Sequence, residues 1–83
     1  MNKGDIVCSL KGHDKGSFMV IMEKTENGFL VCDGKNRRKA APKLKNPKHL
    51  KFTGSSLEKE QLISDKSIRR GIFAFSQAFR EEN

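Results

Sequence analysis

The sequence contains no tryptophan and no tyrosine, and only two of its 83 residues are cysteines. Cys8 and Cys32 do not belong to a CxxC pair, which argues against a secreted disulfide framework and a structural zinc site, so we interpret both as small buried residues. The chain also lacks an apolar run of about 18 residues and the apolar stretch of a signal peptide. We therefore expect a cytoplasmic protein that does not bind membranes.

Patterns typical of catalysis are also missing. The acidic residues are scattered among lysines, and no Cys/His or Ser/His/Asp arrangement accompanies a supporting motif. Residues 11–16 contain two glycines but do not precede a helix, so they are not a phosphate-binding P-loop. A chain of 83 residues forms one domain with little room for a deep active-site cavity. We expect a non-enzymatic protein without a metal or cofactor.

Positive charge is present in excess and is concentrated in one segment. The chain has 17 Lys and Arg residues against 10 Asp and Glu residues, a net charge of +7. Residues 35–51, here called the basic arm, hold eight of the basic residues and no acidic one. Because like charges at this density repel each other, we interpret the arm as a nucleic-acid contact rather than as a merely solvated surface.

Two segments near the N-terminus predict β-strands. Residues 5–10 alternate between two faces, and residues 17–23 are apolar on both faces. Between them lie residues 11–16, here called the glycine loop, whose two glycines permit positive φ angles and a tight, exposed turn.

Turn signals separate the next predicted strands. The Asn-Gly pair at residues 27–28 and the Asp-Gly pair at residues 33–34 are preferred two-residue hairpin turns, because both central residues must adopt positive φ. They predict strands at residues 29–32 and 36–41. Strands this short leave exposed edges, which small β proteins commonly remove by closing into a barrel.

Two prolines divide the segment that follows. Because proline cannot donate a ladder hydrogen bond, the stretch between Pro42 and Pro47 is predicted to be an extended connector or an edge strand. Residues 49–52 predict a fifth strand. We therefore expect a mainly β fold, with a small antiparallel barrel of about five strands over residues 1–54, the basic arm included, and a helical extension packed on it over residues 55–83.

The extension is predicted to contain one helix. It begins at Ser64 or Asp65, either of which is a suitable N-cap, and runs to about Arg80. Gly71 lowers its helix propensity, so the helix is expected to depend on docking against the barrel. Its apolar residues recur at helical spacing and form one narrow stripe: Ile68, Ile72, Phe75 and Phe79.

Two strings of residues in the first half of the chain have the types and spacing of a known motif. The first consists of Gly4-Asp5-Ile6-Val7, Ser9, the glycine loop and Val20-Ile21. The second consists of Asp33-Gly34-Lys35-Asn36-Arg37-Arg38, Pro42-Lys43, Lys45 and Lys48-His49-Leu50. Together they resemble the small prokaryotic KOW-domain RNA-binding proteins, which are related to large-subunit ribosomal proteins, over about residues 4–51. The resemblance implies an SH3-like β-barrel that contacts RNA, often ribosomal RNA, through the loop after the first strand.

We therefore predict that the glycine loop and the basic arm bind RNA. Cationic side chains would displace counterions from the phosphate backbone, and the glycines would let the backbone approach closely. In the alternative interpretation of the loop, the glycines serve only turn geometry. The predicted RNA-binding residues are Lys11, His13, Lys15, Lys35, Asn36, Arg37, Arg38, Lys43, Lys45, Lys48 and His49.

A second candidate contact lies on the predicted helix. Phe73 falls off the apolar stripe and shares a helix face with Arg69, Arg70 and Arg80. It could stack on a base, insert into a protein pocket or pack on another part of the barrel. The alternative function is therefore a protein-interaction module that binds ribosomal or transcription proteins. In either case we expect a monomer.

Overall fold

Five short strands precede one long helix in the computed structural model, which describes residues 1–82 and, for residues 80–82, the backbone alone. Short 3-10 turns at Pro47–His49 and Lys59–Leu62 flank the last strand. The strands and the helix are β1 (Asp5–Ser9), β2 (Phe18–Thr25), β3 (Gly28–Cys32), β4 (Lys43–Lys45), β5 (Leu50–Ser56) and α1 (Asp65–Glu82).

The strands form a single antiparallel sheet in the order β4-β3-β2-β1-β5. Ile6 lies opposite Val20, which in turn lies opposite Cys32, so these three residues form one row across the central strands. Strands β4 and β5 are therefore the two edges, and the hydrogen-bonded sheet is open. The mainly β fold with five antiparallel strands and a C-terminal helix is confirmed.

Successive side chains along each strand point to opposite faces of the sheet, and each face contributes to a cluster of buried apolar residues. One face packs against the helix and the segment before it, through a cluster formed by Ile6, Val20, Cys32, Leu57, Leu62, Ile68 and Ile72. The other cluster is contributed by strands alone: Val7, Met19, Ile21, Val31 and Leu50. Of the two cysteines predicted to be buried, Cys32 is buried and Cys8 is half-buried.

Helix α1 begins where the sequence predicts. Ser64 is the cap: its Oγ accepts the backbone N–H of Ser67 at 3.1 Å, and its carbonyl accepts the N–H of Ile68 at 3.0 Å. Gly71 lies against the buried side chain of Leu57, since a Cβ at this position would be 2.7 Å from Leu57 Cδ2. The glycine therefore lets the helix approach the core closely.

The strand predicted at residues 36–41 is not present. Asp33 Oδ1 accepts the backbone N–H groups of Lys35 and Arg37, both at 2.8 Å, and the Arg37 carbonyl accepts the N–H of Gly34. Local side-chain bonds thus occupy donors that a ladder would need, and residues 33–42 form a loop, here called the basic loop. The edge-strand alternative for the stretch between the prolines is confirmed, because β4 pairs with β3.

Other strand boundaries also differ from the prediction. The turn between β2 and β3 consists of residues 26–27, and Gly28 (φ 144°) already belongs to β3, where a Cβ would clash with the carbonyl oxygen of Lys45. The fifth strand is longer than expected and continues to Ser56, beyond the boundary expected after residue 54.

Candidate functional site

The basic arm is folded rather than extended, and its first part is fastened to the start of α1. The backbone N–H of Lys39 donates to Asp65 Oδ1 at 2.6 Å, and Lys39 Nζ donates to the carbonyl of Ile63 at 2.9 Å. Gly34 (φ 77°) lies against the same helix turn, where a Cβ would clash with the carbonyl of Asp65. These contacts leave Lys35 and Arg38 exposed on the outer side of the basic loop.

Lys45 was predicted to contact RNA, but the structure places it inside the protein. Its side chain is 6% exposed. Nζ donates to Ser9 Oγ at 3.1 Å, to the Lys11 carbonyl at 2.8 Å and to Asp14 Oδ1 at 2.8 Å. All three ammonium donors therefore have partners, and Lys45 has none left for a phosphate.

Asp14 is the centre of this buried network. Its Oδ1 lies 2.7 Å from Ser9 Oγ, and its Oδ2 lies 3.7 Å from Nζ of Lys43. Burial alone would raise the pKa of Asp14, but the hydrogen bonds from Lys45 and Ser9 and the charges of Lys45 and Lys43 outweigh it and lower the pKa to about 2. The network joins the glycine loop to β4, and the Asp14 carboxylate neutralises part of the positive charge of the basic arm.

The glycine loop presents its cations to solvent while its backbone is closed on itself. Gly12 (φ 92°) and Gly16 (φ 88°) adopt the left-handed conformation, and the N–H of Lys15 donates to the Gly12 carbonyl at 3.1 Å. Lys11, His13 and Lys15 are exposed. The backbone of the loop therefore forms the turn, while the side chains of Lys11 and Lys15 are exposed to solvent.

A hollow of about 290 Å³ separates the glycine loop from the basic loop. It brings together residues that are more than 20 positions apart in the chain, such as His13 and Arg37. Arg37 and Lys43 are half-buried on its walls, whereas His13 and Asn36 are exposed. Its lining is His13, Asp14, Ser17, Met19, Asp33, Asn36, Arg37 and Lys43.

A larger open groove, of about 780 Å³, lies between these loops and α1. Its helical wall carries Phe73, which is 62% exposed, so most of its surface is not covered by the rest of the fold. The side chain of Arg80, predicted to share this face, lies outside the described residues. The groove lining includes Gly16, Ser17, Phe18, Asp33, Lys35, Arg69, Arg70, Ile72, Phe73 and Ser76.

Lys48 and His49 line neither hollow. They belong to the 3-10 turn between β4 and β5, which Asn46 caps by accepting the N–H of Lys48 through its side chain at 2.9 Å. The carbonyl of His49 accepts the N–H of Leu10 at 2.8 Å, so the turn lies beside the residue that leads into the glycine loop. Lys48 is exposed there, and His49 is half-buried.

Sequence reasoning missed the structural role of Ser9. It shares a strand face with Val7, is 1% exposed, and belongs to the network of Lys45 and Asp14. A polar residue on the apolar face of a strand requires a buried partner, so the alternation in residues 5–9 carried the signal. The partner Lys45 is 36 residues away and could not be identified from this alternation.

The described side chains contain no group of three or more His, Cys, Asp or Glu placed to share a metal ion. None of the helices in the described part of the chain is both long and apolar enough to cross a membrane. In comparisons with known proteins, no family model and no curated protein matches the chain.

Proposed function

We propose that this chain is a non-enzymatic, KOW-type RNA-binding module whose glycine loop and basic loop contact structured RNA, with ribosomal RNA as the expected target. The observation that carries the proposal is the hollow between the two loops, which brings the half-buried cations Arg37 and Lys43 together with the exposed polar residues His13 and Asn36 from separate parts of the chain. Phosphate contacts from such a surface would position the RNA backbone.

Charge pairing supports the proposal. Among the described residues, the ion pairs are those of Asp14 with Lys43 and Lys45. Among these residues, the remaining cations of the two loops form no ion pair, and Lys11, Lys15, Lys35 and Arg38 are exposed. A cluster of unpaired cations gains free energy by releasing the counterions condensed on a polyanion.

The shape of the sheet supports an SH3-like barrel. The cluster formed by Val7, Met19, Ile21, Val31 and Leu50 comes from strands alone, so a sheet that curls around it would explain its burial. Register shifts in the β1–β5 and β2–β3 ladders increase local twist. A single 3-10 turn connects the two edge strands, which is the short connection that a curled sheet allows.

The test is the salt dependence of binding to an RNA hairpin with an unpaired loop. Replacing Lys15, Lys35 and Arg38 together by Gln should flatten the plot of log affinity against log salt by about 0.7 to 0.9 per lost phosphate contact. A control variant with the same net charge replaces Lys3, Lys24 and Lys59, which lie outside both loops, and should keep the wild-type slope. Equal slopes for the two variants would contradict the proposal.

A further inference from the structure

Phe73 is not part of the helix face that packs on the sheet. Helix α1 packs on the sheet through Ile68, Ile72 and Phe75, and Phe73 lies outside this stripe with 62% of its side chain exposed. Residues three and four positions apart are neighbours on a helix surface, so Arg69 and Arg70 lie beside the Phe73 ring. The helix therefore presents one aromatic ring next to two guanidinium groups.

The groove in front of Phe73 is cationic on both sides. Lys35 lies on the basic-loop side and Arg69 and Arg70 on the helical side. None of the three is ion-paired with a described residue. Of the described lining residues, Asp33 is the single acidic one, and its Oδ1 already accepts two backbone N–H groups.

The groove also adjoins the hollow between the two loops. Ser17 and Asp33 line both, so an RNA strand bound at the hollow would lie next to the groove. On the loop side, Gly16 has no atom within 4 Å of where a Cβ would be, which leaves the entrance open. The volume of about 780 Å³ is within the range of small-molecule sites and can admit a nucleotide.

We propose that this groove holds an unpaired nucleotide of the bound RNA, with its base stacked on Phe73 and its flanking phosphates against Lys35, Arg69 and Arg70. The inference rests on the proposed RNA-binding function and adds a base-contacting subsite to it. A base presents a π face to the ring, and a phosphate offers two oxygens to the planar guanidinium fork. A base paired within a helix has its faces covered by its neighbours, so the nucleotide must be unstacked.

A single nucleotide matches this chemistry better than an apolar protein side chain does. The groove has one exposed ring and three cations that form no ion pair with a described residue, and an apolar partner would have to desolvate those cations without neutralising them. A nucleotide supplies a flat apolar surface and a negative charge together.

The experiment measures binding of the RNA hairpin described above to Phe73→Leu, Phe73→Tyr and a control, Phe52→Leu. Leucine keeps the apolar bulk and helix propensity but removes the aromatic face, so affinity should fall by about fivefold to a hundredfold. Tyrosine keeps the face and should bind within about twofold of wild type. Phe52 is 46% exposed on β5 and lines neither hollow, so its replacement by Leu should leave affinity unchanged.

Abasic substitution then identifies the stacked nucleotide. Each loop nucleotide is replaced in turn by an abasic one, and one position should weaken binding to the wild type but have no further effect on Phe73→Leu. The subsite would be overturned if every abasic substitution weakened binding to Phe73→Leu as much as it weakens binding to the wild type, or if Phe73→Leu bound the RNA with wild-type affinity. If the salt slopes still separate the two charge variants, the proposed function stands without it. Loss of a nuclease-resistant protein partner by Phe73→Leu with intact RNA affinity would instead assign the groove to a protein.

Discussion

At the residue scale, charge in this protein has two distinct uses. Lys45 is a buried structural cation that joins β4 to the glycine loop through Asp14 and Ser9, whereas Lys35 and Arg38 are exposed. The environment of Cys32 disfavours ionisation: burial and the charges of Asp65 and Asp33 raise the pKa of its thiol to about 11. It therefore stays neutral at physiological pH and acts as a small apolar residue, as the sequence predicts.

Because of the Asp14 network, the stability of the protein should fall at acid pH. The pKa of Asp14 is about 2 in the folded protein against 3.8 for an ordinary aspartate, so the stabilisation from the network is fully present above pH 3.8 and is lost as the pH falls toward 2. The difference corresponds to roughly 2 kcal/mol of unfolding free energy. Urea denaturation between pH 5 and pH 2 should show this loss in the wild type and not in Asp14→Asn.

The exposed Glu23, which is outside the network, is a suitable control. Glu23→Gln should keep the wild-type pH dependence in this window. If Asp14→Asn loses as much stability as the wild type between these pH values, the network does not contribute as described.

At the element scale, the basic loop is positioned by the first turns of α1. The loop has no ladder of its own, and its shape comes from the Asp33 side chain, the Lys39 contacts and the close approach of Gly34 to Asp65. Helix and loop therefore present their cations as one surface, with Lys35 on one wall of the groove and Arg69 on the other.

Gly34→Ala should displace the basic loop from the helix. The left-handed φ of 77° is strained for alanine by about 1 to 3 kcal/mol, and the added Cβ would also clash with the Asp65 carbonyl. We expect a loss of unfolding free energy and a weaker affinity for the RNA hairpin. Gly54→Ala is the matched control, since Gly54 has φ 89° and open space around its Cβ position. RNA affinity lowered equally by both variants would contradict this role of the loop anchor.

At the scale of the whole molecule, sheet and helix share one core. The cluster on the helical face joins Ile6, Val20 and Cys32 of the central strands to Ile68 and Ile72 of α1. With so few residues, neither part can bury its apolar surface alone. The helix is therefore part of the domain that supports the candidate RNA surface.

Ile68→Ala tests this shared core. Ile68 is fully buried, so its truncation should cost about 2 to 5 kcal/mol and destabilise sheet and helix together. Helical circular dichroism and amide exchange in the central strands should report the same loss. Ile63→Ala removes a side chain that is 70% exposed and should cost far less. Sheet protection that survives while the helix melts would show that the two parts fold separately.

The sequence alone was sufficient for several features whose controlling interaction is local. Strands β1 to β3, the Ser64 cap, the helix stripe and the position of the charge excess follow from alternation, helical spacing and short-range hydrogen bonding. Tertiary structure alone decided the attachment of Lys39 to the start of the helix, the burial of Lys45 and the meeting of Lys35 with Phe73 in one groove. Each of these depends on partners about 25 to 40 positions away, and no periodicity within a strand or helix encodes which distant residue will lie there.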